Sequence, residues 1–155
     1  MSKQKPKGRK INRMSIIAII GGILISSTVG YALINSMIPV NGDGPVFGFP
    51  ENIYIKSIHS DQGFVFSSHS GAKKSISPTH VAPTIHLTKD QLATIRFMNE
   101  DKTSKHNFNI DEFNVHTKDL DYFQPESVTF IANKAGTFQY HCTIHPEMSG
   151  AIQIQ

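Results

Sequence analysis

Cysteine is nearly absent from this sequence: Cys142 is the only one among 155 residues. A single cysteine cannot close a disulfide within the chain. It also excludes an iron–sulfur cluster, which takes several cysteine ligands, and a dinuclear copper centre bridged by two cysteines. Because Cys142 is far from the apolar N-terminal stretch, no cysteine near that stretch could carry a lipid modification. The lone cysteine needs another explanation, and a bound metal ion is one.

Acidic residues are missing from the first 40 positions, where every charge is positive. The six basic residues there are Lys3, Lys5, Lys7, Arg9, Lys10 and Arg13. They precede 27 residues without a charge, from Met14 to Val40. A helix needs about 20 apolar residues to span a bilayer, whereas the core of a signal peptide has roughly 7 to 15. The length therefore predicts a retained transmembrane anchor over residues 14–40.

The positive charge before this span predicts a single-pass protein of the cell membrane, with residues 1–13 as a basic cytoplasmic tail and the rest outside. Without the tail, residues 41–155 hold nine Lys and Arg against twelve Asp and Glu, a net charge of −3 (9 − 12). The basic character of the whole chain thus comes from the tail, and nothing predicts a nucleic-acid partner.

Residues 41–155 lack sustained helical periodicity, except for a short stretch at 114–124, and show no internal repeat. The glycines and prolines of residues 41–50 indicate a linker. After it, short apolar or alternating segments are separated by turn-rich pieces, as in an all-β protein. The segments are 52–58, 63–67, 83–88, 92–99, 106–111, 127–133, 137–141 and 150–155. The pattern predicts an all-β sandwich or barrel.

The stretch YHCTIHPEM, residues 140–148, sets Cys142, His145 and Met148 three residues apart. In a strand, the side chains of Cys142 and His145 would point to opposite faces. In a helix, Pro146 would interrupt the backbone hydrogen bonds. A tight loop is the remaining way to turn all three side chains toward one point.

A further ligand has to come from another strand, and His106 is the best candidate because it follows a charged turn and opens an apolar segment. His106, Cys142, His145 and Met148 then supply two imidazoles, a thiolate and a thioether. Two His and one Cys in a plane, with a weak axial Met, are typical of a blue (type 1) copper electron-transfer site. Zinc would be expected to take four stronger donors. The sequence therefore predicts one copper ion per chain.

At these residues the chain resembles the cupredoxins, and most closely amicyanin and the plastocyanin group. The resemblance runs from about Pro83 to the C-terminus and includes MNED, the His106-Asn107 pair and the run AGTFQYHCTIHPEM into GAIQI. It implies a Greek-key cupredoxin-like β-sandwich over residues 51–155, best supported over 83–155. It also implies an electron-transport function, with Asn107 tying the two ligand loops together by hydrogen bonds.

Two residues of the loop depart from the amicyanin pattern. Ile144 stands where amicyanin has proline, and Glu147 where it has a large apolar residue. Both changes leave the four ligands intact. They bear on the reduction potential and on the surface that a partner would contact.

Three classes of function are compatible with this site. An electron carrier is favoured, because four ligands leave no position for a substrate. A copper storage or delivery module would use the same fold. A copper enzyme would place a second copper at His141, as the His before the Cys does in copper nitrite reductases. On a strand, however, residue 141 points away from residue 142, so His141 is expected to be a surface residue.

Membrane or extracytoplasmic redox proteins are the expected partners. A cluster of four acids could dock a basic patch on such a partner, or be an ordinary solvated loop. The four are Asp111, Glu112, Asp119 and Asp121. The remaining histidines, His59, His69, His80, His86 and His116, are expected at the surface, and Met98 in the core.

Overall fold

The computed structural model describes residues 12–35, 37–68 and 81–155, in two compact units, Met1–Ser36 and Met37–Gln155. In the first unit, helix α1 spans Arg13–Asn35, and none of its side chains is buried. Its 23 residues are long and apolar enough to cross a membrane, a criterion that a signal sequence also meets. Most of the basic tail, residues 1–11, lies outside the described residues.

The described part of the second unit is built from strands, as predicted. They are β1 (Glu51–Ser60), β2 (Gly63–Ser68), β3 (Ile85–Leu87), β4 (Leu92–Asn99), β5 (Asn109–Ile110), β6 (Val115–His116), β7 (Pro125–Ile131), β8 (Gly136–His141) and β9 (Ser149–Ile154). One 3-10 turn, Asp111–Phe113, joins β5 to β6. The weak helical pattern at 114–124 does not give a helix, because this segment forms β6 and turns instead.

The strands form two sheets. One has the order β2-β1-β4-β7, in which β1 runs antiparallel to β2 and parallel to β4. The other has the order β3-β9-β8-β5-β6, in which β8 runs antiparallel to both β9 and β5. The strand pair β8–β9 brackets the loop that carries Cys142, His145 and Met148.

The core is apolar and rich in aromatic rings, and the strands supply it mainly with alternate residues. In β4, Ala93, Ile95 and Phe97 are buried, while Arg96 between them is exposed. Phe108 and Tyr140 stack with their ring centroids 5.1 Å apart. Burial of each such large side chain contributes roughly 1.5–3 kcal/mol. Met98, which the sequence placed in the core, is only half-buried.

One predicted strand is shorter than expected in the structure. The segment at 106–111 pairs as a strand only at Asn109–Ile110, and His106 forms an isolated bridge with Leu120 instead. The linker at 41–50 stays a prediction. The side chain of Asn41 bonds both the carbonyl and the amide of Ile131, each at 2.8 Å, which pairs the start of this segment with the end of β7.

A close approach between β8 and β9 leaves room for glycine alone at residue 150. Gly150 pairs with Tyr140, whose hydroxyl donates a hydrogen bond to the carbonyl of Pro83 at 2.6 Å. A Cβ at residue 150 would overlap the phenol ring of Tyr140. The ring is fully buried and cannot swing into solvent.

Gly150→Ala should therefore lower the free energy of unfolding, by roughly 1–3 kcal/mol, because the Tyr140 ring must shift inside a packed core. Denaturant unfolding of the full-length protein measures the change. Gly48→Ala is the matched control, since nothing lies within 4 Å of a Cβ there. A Gly150→Ala protein as stable as the control would contradict this account of the packing.

Candidate metal centre

Cys142 lies at the end of β8, where the chain turns into the loop that leads to β9. Two backbone hydrogen bonds close this loop: Cys142 N–H to the Met148 carbonyl at 3.0 Å, and Met148 N–H to the His145 carbonyl at 2.9 Å. Cys142 and Met148 are buried, and His145 is half-buried. The chain thus adopts the tight loop that the Cys-x-x-His-x-x-Met spacing predicts.

The fold brings His106, Cys142 and His145 together. One potential ligand atom from each lies within 4.8 Å of those from the other two. Cys142 Sγ and His145 Nδ1 are 4.0 Å apart, and the two imidazole centroids are separated by 4.6 Å. Met148, the fourth residue of the predicted set, is 1% exposed and belongs to the same loop. Its role as an axial ligand stays a prediction.

The hydrogen bonding of His106 fits a metal ligand. Its Nε2 lies 2.8 Å from a carboxylate oxygen of Asp101, with both side chains buried. Its Nδ1 is buried without a hydrogen-bond partner, and it is the one such side-chain nitrogen or oxygen in the described part of the chain. An unpaired buried nitrogen is costly unless something else satisfies it. Beside a thiol and a second imidazole, a soft metal ion would satisfy it.

The electrostatics around His106 favour the neutral imidazole that a metal requires. Burial lowers the pKa of His106, and this effect outweighs the hydrogen bond to Asp101, which acts in the opposite direction. Burial alone would raise the pKa of Asp101. The hydrogen bonds that it accepts from His106 and Thr103 lower that pKa below its ordinary value. The pair is therefore a neutral imidazole beside a carboxylate.

Asn107 joins the two ligand loops, as the resemblance implies. Its Oδ1 accepts the backbone N–H of Thr143 at 2.8 Å, and its Nδ2 donates to the Thr143 hydroxyl at 2.6 Å. Nδ2 also donates to the carboxylate of Asp119 at 2.7 Å. Residues adjacent to His106 and Cys142 are thus tied directly across the site.

Phe64 of β2 packs against both candidate imidazoles. Its ring centroid is 4.3 Å from that of His145 and 5.2 Å from that of His106. The ring of His59 in β1 also contacts Phe64, with 4.7 Å between the two ring centroids. Phe64 was not among the predicted site residues, because the segment GFVFS predicts a strand but does not indicate which of its residues reaches the site. The hairpin β1–β2 thus supplies an apolar wall of the candidate centre.

His141, which was expected at the surface, is half-buried and ends β8 immediately before Cys142. It sits in register with Asn109, which in turn pairs with His116, so the three residues form a row across β8, β5 and β6. Asp111 approaches both imidazoles: one carboxylate oxygen is 3.9 Å from His141 Nε2, and the other is 4.0 Å from His116 Nδ1. His116 Nδ1 also contacts Asn109 Oδ1 at 2.9 Å.

The other residues expected at the surface are two exposed histidines, two histidines that the structure does not describe, and the acidic cluster. His59 and His86 are exposed, whereas His69 and His80 lie outside the described residues. Several members of the acidic cluster have partners: Asp121 pairs with Lys105 at 3.1 Å, and Glu112 pairs with Lys134. Asp119 accepts a hydrogen bond from Asn107. Because two of the four carboxylates are paired with lysines, only part of the negative charge of the cluster is unpaired.

Comparisons with known proteins agree with this geometry. A family model described as the cupredoxin-like domain matches residues 72–154, which is more than half of the chain. A search of curated proteins found no match. The family match confirms the predicted family and its fold.

Two solved structures illustrate the shared fold. A copper nitrite reductase from Nitrosomonas europaea aligns with a TM-score of 0.52 and 17% identity, over 69% of this chain and 42% of its own. A reduced auracyanin from Roseiflexus castenholzii aligns with a TM-score of 0.50 and 16% identity, over 70% of this chain and 99% of its own. At these identities the likeness shows the fold alone. The match spans less than half of the reductase chain.

Proposed function

Because the chain belongs to the cupredoxin-like family, we propose that it carries single electrons at one type 1 copper held by His106, Cys142, His145 and Met148. The observation that carries the proposal is the convergence of His106, Cys142 and His145 within 4.8 Å, with a buried, unpartnered Nδ1 on His106. A copper ion there would supply the change between Cu(I) and Cu(II). The chain's own residues supply the donors and hold them still.

Rigidity of the site favours fast electron transfer, because little has to rearrange when the charge changes. Asn107 clamps the two ligand loops, and Asp101 fixes the His106 ring. Three strong donors and a thioether would fill the coordination of a copper ion and would leave no position for a substrate. Burial of Cys142 and His106 opposes ready metal loss, so it favours a carrier over a delivery module.

We further propose that α1 is retained as a membrane anchor, with the copper domain on the extracytoplasmic side. The length and lack of charge of the helix support this, as do the basic residues before it. The partners would then be membrane-bound or diffusible redox proteins outside the cytoplasm.

A copper enzyme is the second candidate, and one observation favours it. Asp111 lies within about 4 Å of His141 and His116, so the face of the sheet that carries these three residues offers the kind of donors that a second metal would use. Against it, His116 Nδ1 is engaged by Asn109. The carrier proposal therefore predicts that this face stays metal-free.

Copper loading separates these functions. Full-length protein in detergent should bind one copper per chain and turn intensely blue on oxidation, because a Cu–thiolate bond gives strong charge transfer. Cys142→Ser should remain folded by circular dichroism and lose the colour, while His141→Gln should keep both copper and colour. A colourless copper complex of the wild-type protein would contradict the carrier proposal. Two coppers per chain, one of them lost in His141→Gln, would favour the enzyme.

The proposed axial role of Met148 has its own test. A harder oxygen donor favours Cu(II), so Met148→Gln should lower the reduction potential while the thiolate–copper absorption remains. Cyclic voltammetry measures the potential. Met37→Gln, at an exposed position outside the site, is the control. An unchanged potential in Met148→Gln would show that Met148 does not act on the metal.

The charge of the copper domain predicts how a partner would approach. With a net charge of −3 over residues 41–155, it should associate with a basic patch. The rate of electron transfer with a cognate partner should then fall as salt is added, because screening shortens to about 8 Å at physiological ionic strength. Stopped-flow rates that do not change with salt would contradict electrostatic docking.

A further inference from the structure

We propose that Asp101 is a positioning residue: it fixes which ring nitrogen of His106 faces the metal and biases the centre toward its oxidised state. The inference rests on the proposed copper site. Asp101 is 2% exposed although it stands in the charged segment NEDKTS, which by composition reads as a solvated turn. Its carboxylate Oδ2 is 2.8 Å from His106 Nε2.

The hydrogen bonds around Asp101 select one tautomer of His106. Asp101 Oδ1 accepts the backbone N–H of Thr103 at 2.9 Å and its hydroxyl at 2.7 Å. A carboxylate has acceptor sites only, so the contact between Oδ2 and Nε2 requires a proton on Nε2. In a neutral imidazole, Nδ1 then carries the lone pair, and this is the buried nitrogen without a partner.

The carboxylate is itself held by a buried polar chain that reaches the neighbouring strands. The backbone N–H of Asp101 donates to Asn99 Oδ1 at 2.8 Å, and Ser57 Oγ donates to the same oxygen at 2.9 Å. Asn99 Nδ2 donates to the carbonyls of Leu120 and Ser104. None of these contacts involves a metal. The His106 ring is therefore oriented by protein groups before any metal binds.

A negative acceptor on Nε2 does more than orient the ring. It draws the Nε2 proton and makes Nδ1 a more basic donor, as carboxylate–histidine pairs do at metal sites. With little water nearby, the charge of Asp101 is weakly screened. Both effects stabilise the more highly charged Cu(II) over Cu(I), so this pair should hold the reduction potential down.

Nitrogen-15 NMR of the full-length, metal-free protein in detergent tests the positioning directly. The His106 ring should show a protonated Nε2 and an unprotonated Nδ1. This measurement needs neither copper nor a variant, so it stands even if substitutions at Asp101 prevent folding. A His106 ring with its proton on Nδ1 would overturn the proposal.

Asp101→Asn extends the test with a side chain of the same shape. The two Thr103 donors occupy the oxygen, so the amide NH₂ faces Nε2 and selects the wrong tautomer, as happens when a catalytic Asp that orients a His is changed to Asn. Cu(II) affinity should fall about 10- to 100-fold. If Cu(I) affinity falls less, the potential should rise by about 59 mV for each tenfold difference.

Asp90→Asn is the control, because it removes an exposed carboxylate from the turn between β3 and β4, outside the ligand loop. It should leave the His106 tautomer unchanged. A folded Asp101→Asn protein with the wild-type tautomer and potential would overturn the proposal. A wild-type protein with the expected tautomer that binds no copper would overturn the proposed function and leave the positioning role of Asp101 standing.

Discussion

The paired hydrogen bonds between Asn107 and Thr143 are the constraint on which the candidate centre depends. They join two loops that are far apart in the sequence and lie beside His106 and Cys142. They add to the pairing of Asn109 with His141, which joins the same two segments through β5 and β8. With them, the site is fixed by contacts that do not involve the metal, which is what a carrier needs if its geometry is to change little between oxidation states.

Two further residues, outside the set of candidate ligands, support the same arrangement. Phe64 covers both imidazoles with an apolar ring, and Asp101 fixes the orientation of His106 from behind. The Phe64 ring keeps water away from the site, and charge interactions there are stronger for that reason. Ile144 and Glu147, which depart from the amicyanin pattern, are exposed. Their differences therefore alter the surface next to His145 and not the ligand loop's internal bonds.

Local patterns predicted the parts of the structure that local physics decides. Short apolar or alternating segments predicted β4 and the separate strands β1 and β2, and the proline in Cys-x-x-His-x-x-Met predicted the tight loop. The sequence did not indicate the roles of Phe64 and Asp101 at the site, because these roles depend on contacts between strands that are distant in the sequence. A phenylalanine in GFVFS reads as core, and an aspartate in NEDKTS reads as solvated. Only the folding of the turn inward, against Ser57 and Asn99, buries that aspartate.

The central claim is that this fold holds one copper through a thiolate and two imidazoles in a geometry that reduction hardly changes. X-ray absorption at the copper edge tests it most directly, on the full-length protein frozen in its oxidised and reduced states. The account predicts one short copper–sulfur distance and two copper–nitrogen distances, with nearly the same shell in both states. A copper shell without the short sulfur distance, or one that loses or gains a ligand on reduction, would contradict it.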